Sequence, residues 1–366
     1  MSVFLFAIGV IMFYFLYVTY DSDSKKQNTR SRTQSFNCSP SANTKDRIYF
    51  AVRRYFYSIV NPINNNYENG KPDPFLFRAF SDRFQTFEDV SGAMVDAGIK
   101  KCQLILGIDF TASNEWQGRV SNRGQSLHNI TQKFKANQNP YQHVITILQH
   151  TLKDMVDANV PKHLNLKELS EEEKRSKKLH GIHAFGFGDS VTKDISTFCL
   201  RADGMPCGSF DDVLHCYREC ASKITLGGPT SYAPIVHKAI EIVEQTNQYN
   251  ILVIIADGQF VDEGPTARAI VEASYYPLSI IVVGVGDGPW DTMHQFDDWL
   301  PERNFDNFQF VEYGKIISNT YDKSKNPETM LALHMLMEIP DQYKIIHKLG
   351  YMSQPHHNVS LDSKGL

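Results

Sequence analysis

The chain has 366 residues, 42% of them apolar and 21% charged, close to the averages for folded globular proteins, which excludes a wholly disordered chain and allows a sizeable core. A formal net charge of −4 excludes a global basic field for nucleic acid, and no local basic cluster interleaves with aromatic residues as a nucleic-acid surface would. The six cysteines, Cys38, Cys102, Cys199, Cys207, Cys216 and Cys220, contain no C-x-x-C pair, so neither a RING nor a zinc ribbon is expected, and reduced thiols are.

The first element is Ser2–Tyr20, which holds no charged residue. As a helix rising about 1.5 Å per residue it spans ~28 Å, enough for a hydrocarbon core. Tyr14, Tyr17 and Tyr20 cluster toward its end as an interfacial belt would. Nothing basic precedes the run, and its exit, Val18-Thr19-Tyr20-Asp21, lacks a small-residue cleavage pattern. An uncleaved anchor at 2–20 is therefore favoured over a signal peptide. Lys25, Lys26, Arg30 and Arg32 follow directly, which predicts a single-pass membrane protein with its bulk in the cytosol. Glycosylation tripeptides at Asn37, Asn129 and Asn358 pull weakly the other way, toward a domain outside the cell.

Residues 21–83 read as a tether and irregular lead-in: Ser, Asn, Thr and Lys first, an apolar return at Arg47–Tyr57, then turn residues from Asn61 to Pro74. Phe75–Ala97 looks helical in parts. Thereafter short apolar runs alternate with helical periodicity. Strands are predicted at Leu104–Ile108, Ile182–Phe187, Ile251–Ala256, Leu278–Val285 and Phe308–Val311. Helices are predicted at Tyr141–Val156, Asp211–Ala221, Ala233–Val243 and Thr266–Ser274, with a final one beginning at Met330–Met337. His163–His180 is a charged, solvated insertion, and 351–366 a tail. This alternation predicts an α/β fold over 84–350, a doubly wound and mostly parallel sheet flanked by helices. Ligands of such sheets bind beyond the carboxyl ends of the strands, so the loops after Ile108, before Ala233 and after Ala256 are the places to look.

Those loops carry oxygen ligands. Asp109, Thr111 and Ser113 alternate directly after the first strong strand. In an extended stretch alternate side chains face one way, so the three could converge on a point. Gly227-Gly228-Pro229-Thr230-Ser231 offers the Thr230 hydroxyl at a helix start, and Ala256-Asp257-Gly258 offers the Asp257 carboxylate. An oxygen-only set suits Mg2+ or Mn2+, while Ca2+ usually takes more ligands. Each piece alone is more often a turn or a helix cap.

The order D-x-T-x-S, threonine, strand-terminal aspartate resembles the metal-ion-dependent adhesion site (MIDAS) of von Willebrand A (vWA) domains. Longer stretches resemble copines and the copine-like RING ubiquitin ligases: Leu104–Trp116, Gly227–Pro234, Ile254–Gln259, Pro277–Trp290, Phe305–Val311 and Met337–Tyr343. The resemblance implies a divalent metal held by Asp109, Thr111, Ser113, Thr230 and Asp257, with Thr230 entering or leaving with conformational state. It also implies a partner protein whose Asp or Glu completes the shell. Asp189 and Asp287, after two other strands, could support the ligands from behind. Gly186–Asp189 and Gly284–Gly288 lack the glycine spacing and lysine of phosphate loops, and no G-x-S-x-G or H-E-x-x-H occurs, so no catalytic residue is assigned. The residues ahead of the resemblance are too few for the C2 domains of copines, and no cysteine follows Cys220 to build a RING. The expectation is a membrane-anchored, metal-dependent scaffold and not an enzyme. The alternatives are ubiquitin ligation with a separate RING partner and an adhesion-type receptor.

Overall fold

The computed structural model describes residues 84–130, 138–156, 180–258, 260–261, 263–300, 303–318 and 326–352. The expected anchor, the tether, the centre of the charged insertion and most of the tail lie outside these residues. Among the described residues no helix is long and apolar enough to cross a membrane.

Helix α1 (Phe87–Asp96) opens on Thr86, whose hydroxyl accepts from the Asp89 N–H. Strand β1 (Gln103–Asp109) follows and is buried along its whole length. Helix α2 (Pro140–Leu152) starts with a reciprocal cap between Asn139 and Gln142 and a proline in its first turn, all signals that fix a helix start. Then come β2 (Ile182–Phe187), β3 (Thr197–Cys199), α3 (Phe210–Ala221), α4 (Ala233–Thr246) and β4 (Asn250–Ala256). After them run α5 (Glu263–Ala273), β5 (Leu278–Gly284), α6 (Asp291–Trp299), β6 (Phe308–Glu312), α7 (Tyr313–Ile317), α8 (Pro327–Leu336) and α9 (Ile339–Lys348).

The six strands form one sheet in the order β3-β2-β1-β4-β5-β6. All pairs are parallel except β2 with β3. Period-two alternation divides the strand side chains between two cores. Leu104, Leu106, Ile108, Val253 and Ile255 face a core closed by α1, α2, α3, α8 and α9. Ile105, Leu252, Ile254, Ile280 and Val282 face one closed by α4, α5 and α6. This is the doubly wound, mostly parallel α/β architecture that the alternation of runs predicts. The order of connections reverses between β1 and β4, and open sheets of this kind place ligands at such a switch point.

Several details depart from the sequence reading. Helix α2 ends at Leu152, and Val156 forms an isolated parallel bridge with Cys102 instead of extending it. Strand β3 and helix α6 carry no apolar run, and the final helical segment is two helices, α8 and α9.

Candidate metal centre

Asp109 closes β1 and is fully buried; Asp257 directly follows β4 and is fully buried too. Parallel neighbours ending together bring both carboxylates to the carboxyl edge at the switch point. The Asp109 Oδ1 accepts from the Thr111 N–H at 2.8 Å. The Thr111 and Ser113 hydroxyls lie 2.9 Å apart.

Their convergence does not come from a continuous extended stretch, as the spacing suggested. Thr111 is extended, but a 3₁₀ turn starts at Ala112 and runs to Glu115. That turn swings Ser113 back beside Thr111. Its cause is local: Asn114 donates to the Asp109 and Thr111 carbonyls at 3.4 and 3.0 Å, and Tyr141 of α2 donates to the Asn114 Oδ1 at 2.7 Å.

The electrostatics are unusual for a structural turn. The Asp109 Oδ2 and both Asp257 carboxylate oxygens are buried with no hydrogen-bond partner among the described residues. Ser113 and Asp109 both face Asp257, yet neither satisfies it. Burial, and then the charge of Asp109, push the Asp257 carboxyl up to about 9; burial likewise raises Asp109. The phenols of Tyr141 and Tyr232 flank the pair, and burial with both carboxylates raises them well above 10. Unpaired buried carboxylates cost several kcal/mol each. A divalent cation offsets that cost directly, so two converging carboxylates and two hydroxyls fit a hard metal ion.

Thr230 sits on the same edge. Its loop is laced to the first one by Ala112 N–H to Gly227 O (2.7 Å) and Gly227 N–H to Phe110 O (3.2 Å), and Thr230 O accepts from Val261 N–H after β4 (3.1 Å). No hydrogen bond among the described residues joins its hydroxyl to either carboxylate. The Asp189 carboxylate accepts from the Val191 and Thr192 N–H groups and the Thr192 hydroxyl, closing its own turn. Asp287 accepts from the Val120 and Ser121 N–H groups and so clamps the loop after β1.

Sequence reasoning missed the scaffold beneath the site. His128 stacks between Phe110 and Tyr141, and its ring nitrogens bond the Asp109 carbonyl (2.8 Å) and the Tyr217 hydroxyl (2.9 Å). Burial lowers it to about 4, so it is neutral at pH 7. Nothing in its spacing signals this, because its partners are 19 and 89 residues away. A Cβ on Gly286 would lie 1.8 Å from the Asp257 carbonyl oxygen, and one on Gly188, at φ +79°, 2.5 Å from the Thr111 methyl. Both glycines let neighbouring backbone press against the ligand loops.

The copine family profile matches residues 126–355, more than half of the chain. The chain belongs to the copine family. Thr230 and Asp257 fall within the matched residues, and Asp109, Thr111 and Ser113 precede them. Copine relatives include the Arabidopsis thaliana E3 ubiquitin-protein ligase RGLG3, 43% identical over 72% of this chain and 68% of that protein. E3 ubiquitin-protein ligase RGLG5 of the same plant is 41% identical over 81% of this chain and 66% of that protein. Copine family protein 1 of Caenorhabditis elegans is 42% identical over 74% of this chain. The chain thus spans 66% of the length of the first of these last two and 22% of the second. Solved structures with some likeness include manganese-loaded Plasmodium vivax TRAP protein (TM-score 0.38, 11% identical, 61% of this chain and 72% of that one). Mussel byssus proximal thread matrix protein 1 with a zinc-occupied MIDAS motif is another (TM-score 0.34, 10% identical, 69% and 48%). At such scores these likenesses carry no argument about the site.

Proposed function

We propose that this copine-family domain binds one divalent metal ion, Mg2+ or Mn2+, at Asp109, Thr111, Ser113, Thr230 and Asp257, and uses it to grip a carboxylate on a partner protein. The observation that carries the reading is the trio of buried, unpartnered carboxylate oxygens on Asp109 and Asp257. When bound, the ion supplies a Lewis-acidic position open to an anionic oxygen. The chain's own residues hold the carboxylates together, fix the hydroxyls through the 3₁₀ turn and keep water out from below with the Phe110–His128–Tyr141 stack. Among the described residues around the carboxylate pair, the groups present are suited to holding an ion, and the reading offered is a binding module.

The surroundings support a protein ligand. Five of the seven large apolar side chains exposed among the described residues lie in the carboxyl-edge loops: Trp116, Val120, Val191, Ile195 and Val261, with Val120 86% and Val261 76% exposed. Exposed apolar residues gathered on one edge mark interaction surfaces. Arg119, Arg123 and Lys193 are exposed in the same loops and complement an acidic partner. Residence at a membrane through Ser2–Tyr20, with the domain facing the cytosol, belongs to the same proposal.

Calorimetric titration of Mg2+ and Mn2+ into the whole chain, beside Asp109→Ala, tests it. Saturable binding that the variant loses supports the site. Equal heats in both chains would overturn it. The ligase names of the plant relatives favour a second reading, a part in protein ubiquitination with a separate RING partner. Reconstituted ubiquitin transfer that stays silent until a RING protein is added, and stays silent with Asp109→Ala, is its test.

A further inference from the structure

A second constellation lies away from the carboxylate pair. Cys207 is held beside β2 by two backbone hydrogen bonds, Ile182 N–H to its carbonyl (2.9 Å) and its own N–H to the Ile182 carbonyl (2.8 Å). Asp212 and Cys216 stand four residues apart on α3, one turn above the other on one helix face. The Cys207 and Cys216 sulfurs and a carboxylate oxygen of Asp212 all lie within 4.8 Å of one another. Cys216 Sγ is 3.8 Å from Asp212 Oδ1, while Asp212 Oδ2 is taken up by the Gly208 N–H (3.0 Å) and the Arg201 guanidinium (3.3 Å). So one carboxylate oxygen is anchored and the other points at the sulfurs.

We propose that Cys207, Asp212 and Cys216 form a site for a thiophilic divalent cation, Zn2+ in the cell, separate from the oxygen-only site and independent of its assignment. Sulfur donors select such ions over Mg2+. Tetrahedral Zn–S and Zn–O bonds of about 2.0–2.3 Å put ligand atoms about 3.4–3.8 Å apart, and the Cys216–Asp212 separation already meets that. Binding replaces the two thiol protons, which leave to solvent. Two thiolates and a carboxylate exceed the charge of the cation by one, and Arg201, shared between Asp212 (3.3 Å) and Asp203 (3.0 Å), offsets part of that excess. The two thiols already interact: their mutual hydrogen bond raises Cys207 and lowers Cys216. Both sulfurs are buried, whereas the Asp212 side chain is 31% exposed. That side gives access to the ion and room for a water as fourth ligand. The site would clasp α3 to β2. Its C-x₈-C spacing hides it from a search for close cysteine pairs, because a turn and half a helix separate the ligands in sequence.

The test uses the full chain, reduced, with Mg2+ in excess to keep a hard cation at the oxygen site. Co2+ is titrated as the optical probe, and Zn2+ is counted by elemental analysis after desalting. The proposal expects one Zn2+ per chain, a thiolate-to-cobalt charge-transfer band, and a rise in melting temperature on adding Zn2+. Cys207→Ser and Cys216→Ser each abolish the band with circular dichroism intact, Asp212→Asn weakens Co2+ binding at least tenfold, and Asp109→Ala leaves the band unchanged. Absence of the band in the parent chain overturns the proposal, as does a band that survives Cys216→Ser. A Cys207–Cys216 disulfide recovered from air-exposed chain, with no band after reduction, also overturns it and makes the pair a redox couple.

Discussion

Asp257 shows how a side chain that costs the fold stability can be suited to the ligand role proposed for it. Its carboxyl is raised from 3.8 to about 9, by burial first and Asp109 second. Above about pH 4 the unfolded chain releases this proton while the folded chain keeps it until about pH 9, so the folded state loses ground as pH rises through that window. Asp257→Asn removes the problem. In EDTA at pH 8 it is expected to stabilise the chain by on the order of 1–3 kcal/mol, and urea unfolding measures this. The same variant should show no rise in melting temperature with Mg2+, whereas the parent chain does. Gly286 is the second test at this scale. With a Cβ 1.8 Å from the Asp257 carbonyl oxygen, Gly286→Ala must push the ligand loop aside. Thermal unfolding should show a loss of about 1–3 kcal/mol, and Mg2+ binding should weaken with it. These residues also divide the legible from the hidden. Asp109 and Asp257 stand out as polar residues ending apolar runs. Gly286 looks like any turn glycine until the neighbouring strand end is in place.

Among the elements, β1, β2, β4, β5 and β6 are readable because each is an apolar run buried on both faces. Strand β3 is three residues long at the sheet edge with only Phe198 buried, too short to leave a pattern. Helix α6 carries three aspartates in nine residues, and among its described side chains Met293 and Phe296 are the two core-facing apolar ones, too few to stand out as a stripe. The 3₁₀ turn was invisible for a related reason: the Asn114 side chain that bonds the Asp109 and Thr111 carbonyls is itself held by Tyr141 on α2. His128 joins three elements in the same way, tying the end of β1 to Tyr217 on α3 and stacking on α2. His128→Phe keeps a ring but removes one bond each from the Asp109 carbonyl and the Tyr217 hydroxyl, leaving the first to Asn114 at 3.4 Å and the second to Asn139 at 3.0 Å, at a cost of about 1–3 kcal/mol. Folded His128 titrates near 4 and the unfolded residue near its ordinary 6.5. Stability from this group is therefore full above pH 6.5 and lost as pH falls toward 4. Urea denaturation at pH 7 and pH 5 should show a smaller drop in the Phe variant than in the parent.

For the molecule as a whole, the order of apolar runs and helices made the doubly wound sheet legible, and the switch point followed from it. The gathering of apolar side chains on the metal edge was not legible, since Trp116, Val191 and Val261 belong to three loops far apart in sequence. On the proposed function they bear on partner binding and not on metal capture. Val120→Ser with Val261→Ser should leave Mg2+ heats unchanged. It should also weaken an Asp-containing peptide selected for Mg2+-dependent binding to the parent chain by about tenfold or more, about 1.4 kcal/mol. Equal peptide affinity in both chains would separate the apolar rim from the site.

The placement of Asp109 and Asp257 at the ends of two adjacent, central, parallel strands also has a mechanical meaning. If the site grips a partner as proposed, a pull on it draws β1 and β4 along their own axes. Strand β1 is flanked by β2 and β4, and β4 by β1 and β5, so the load falls on evenly spaced hydrogen bonds in shear, many at once. The tension is shared across four strands before any one can slide.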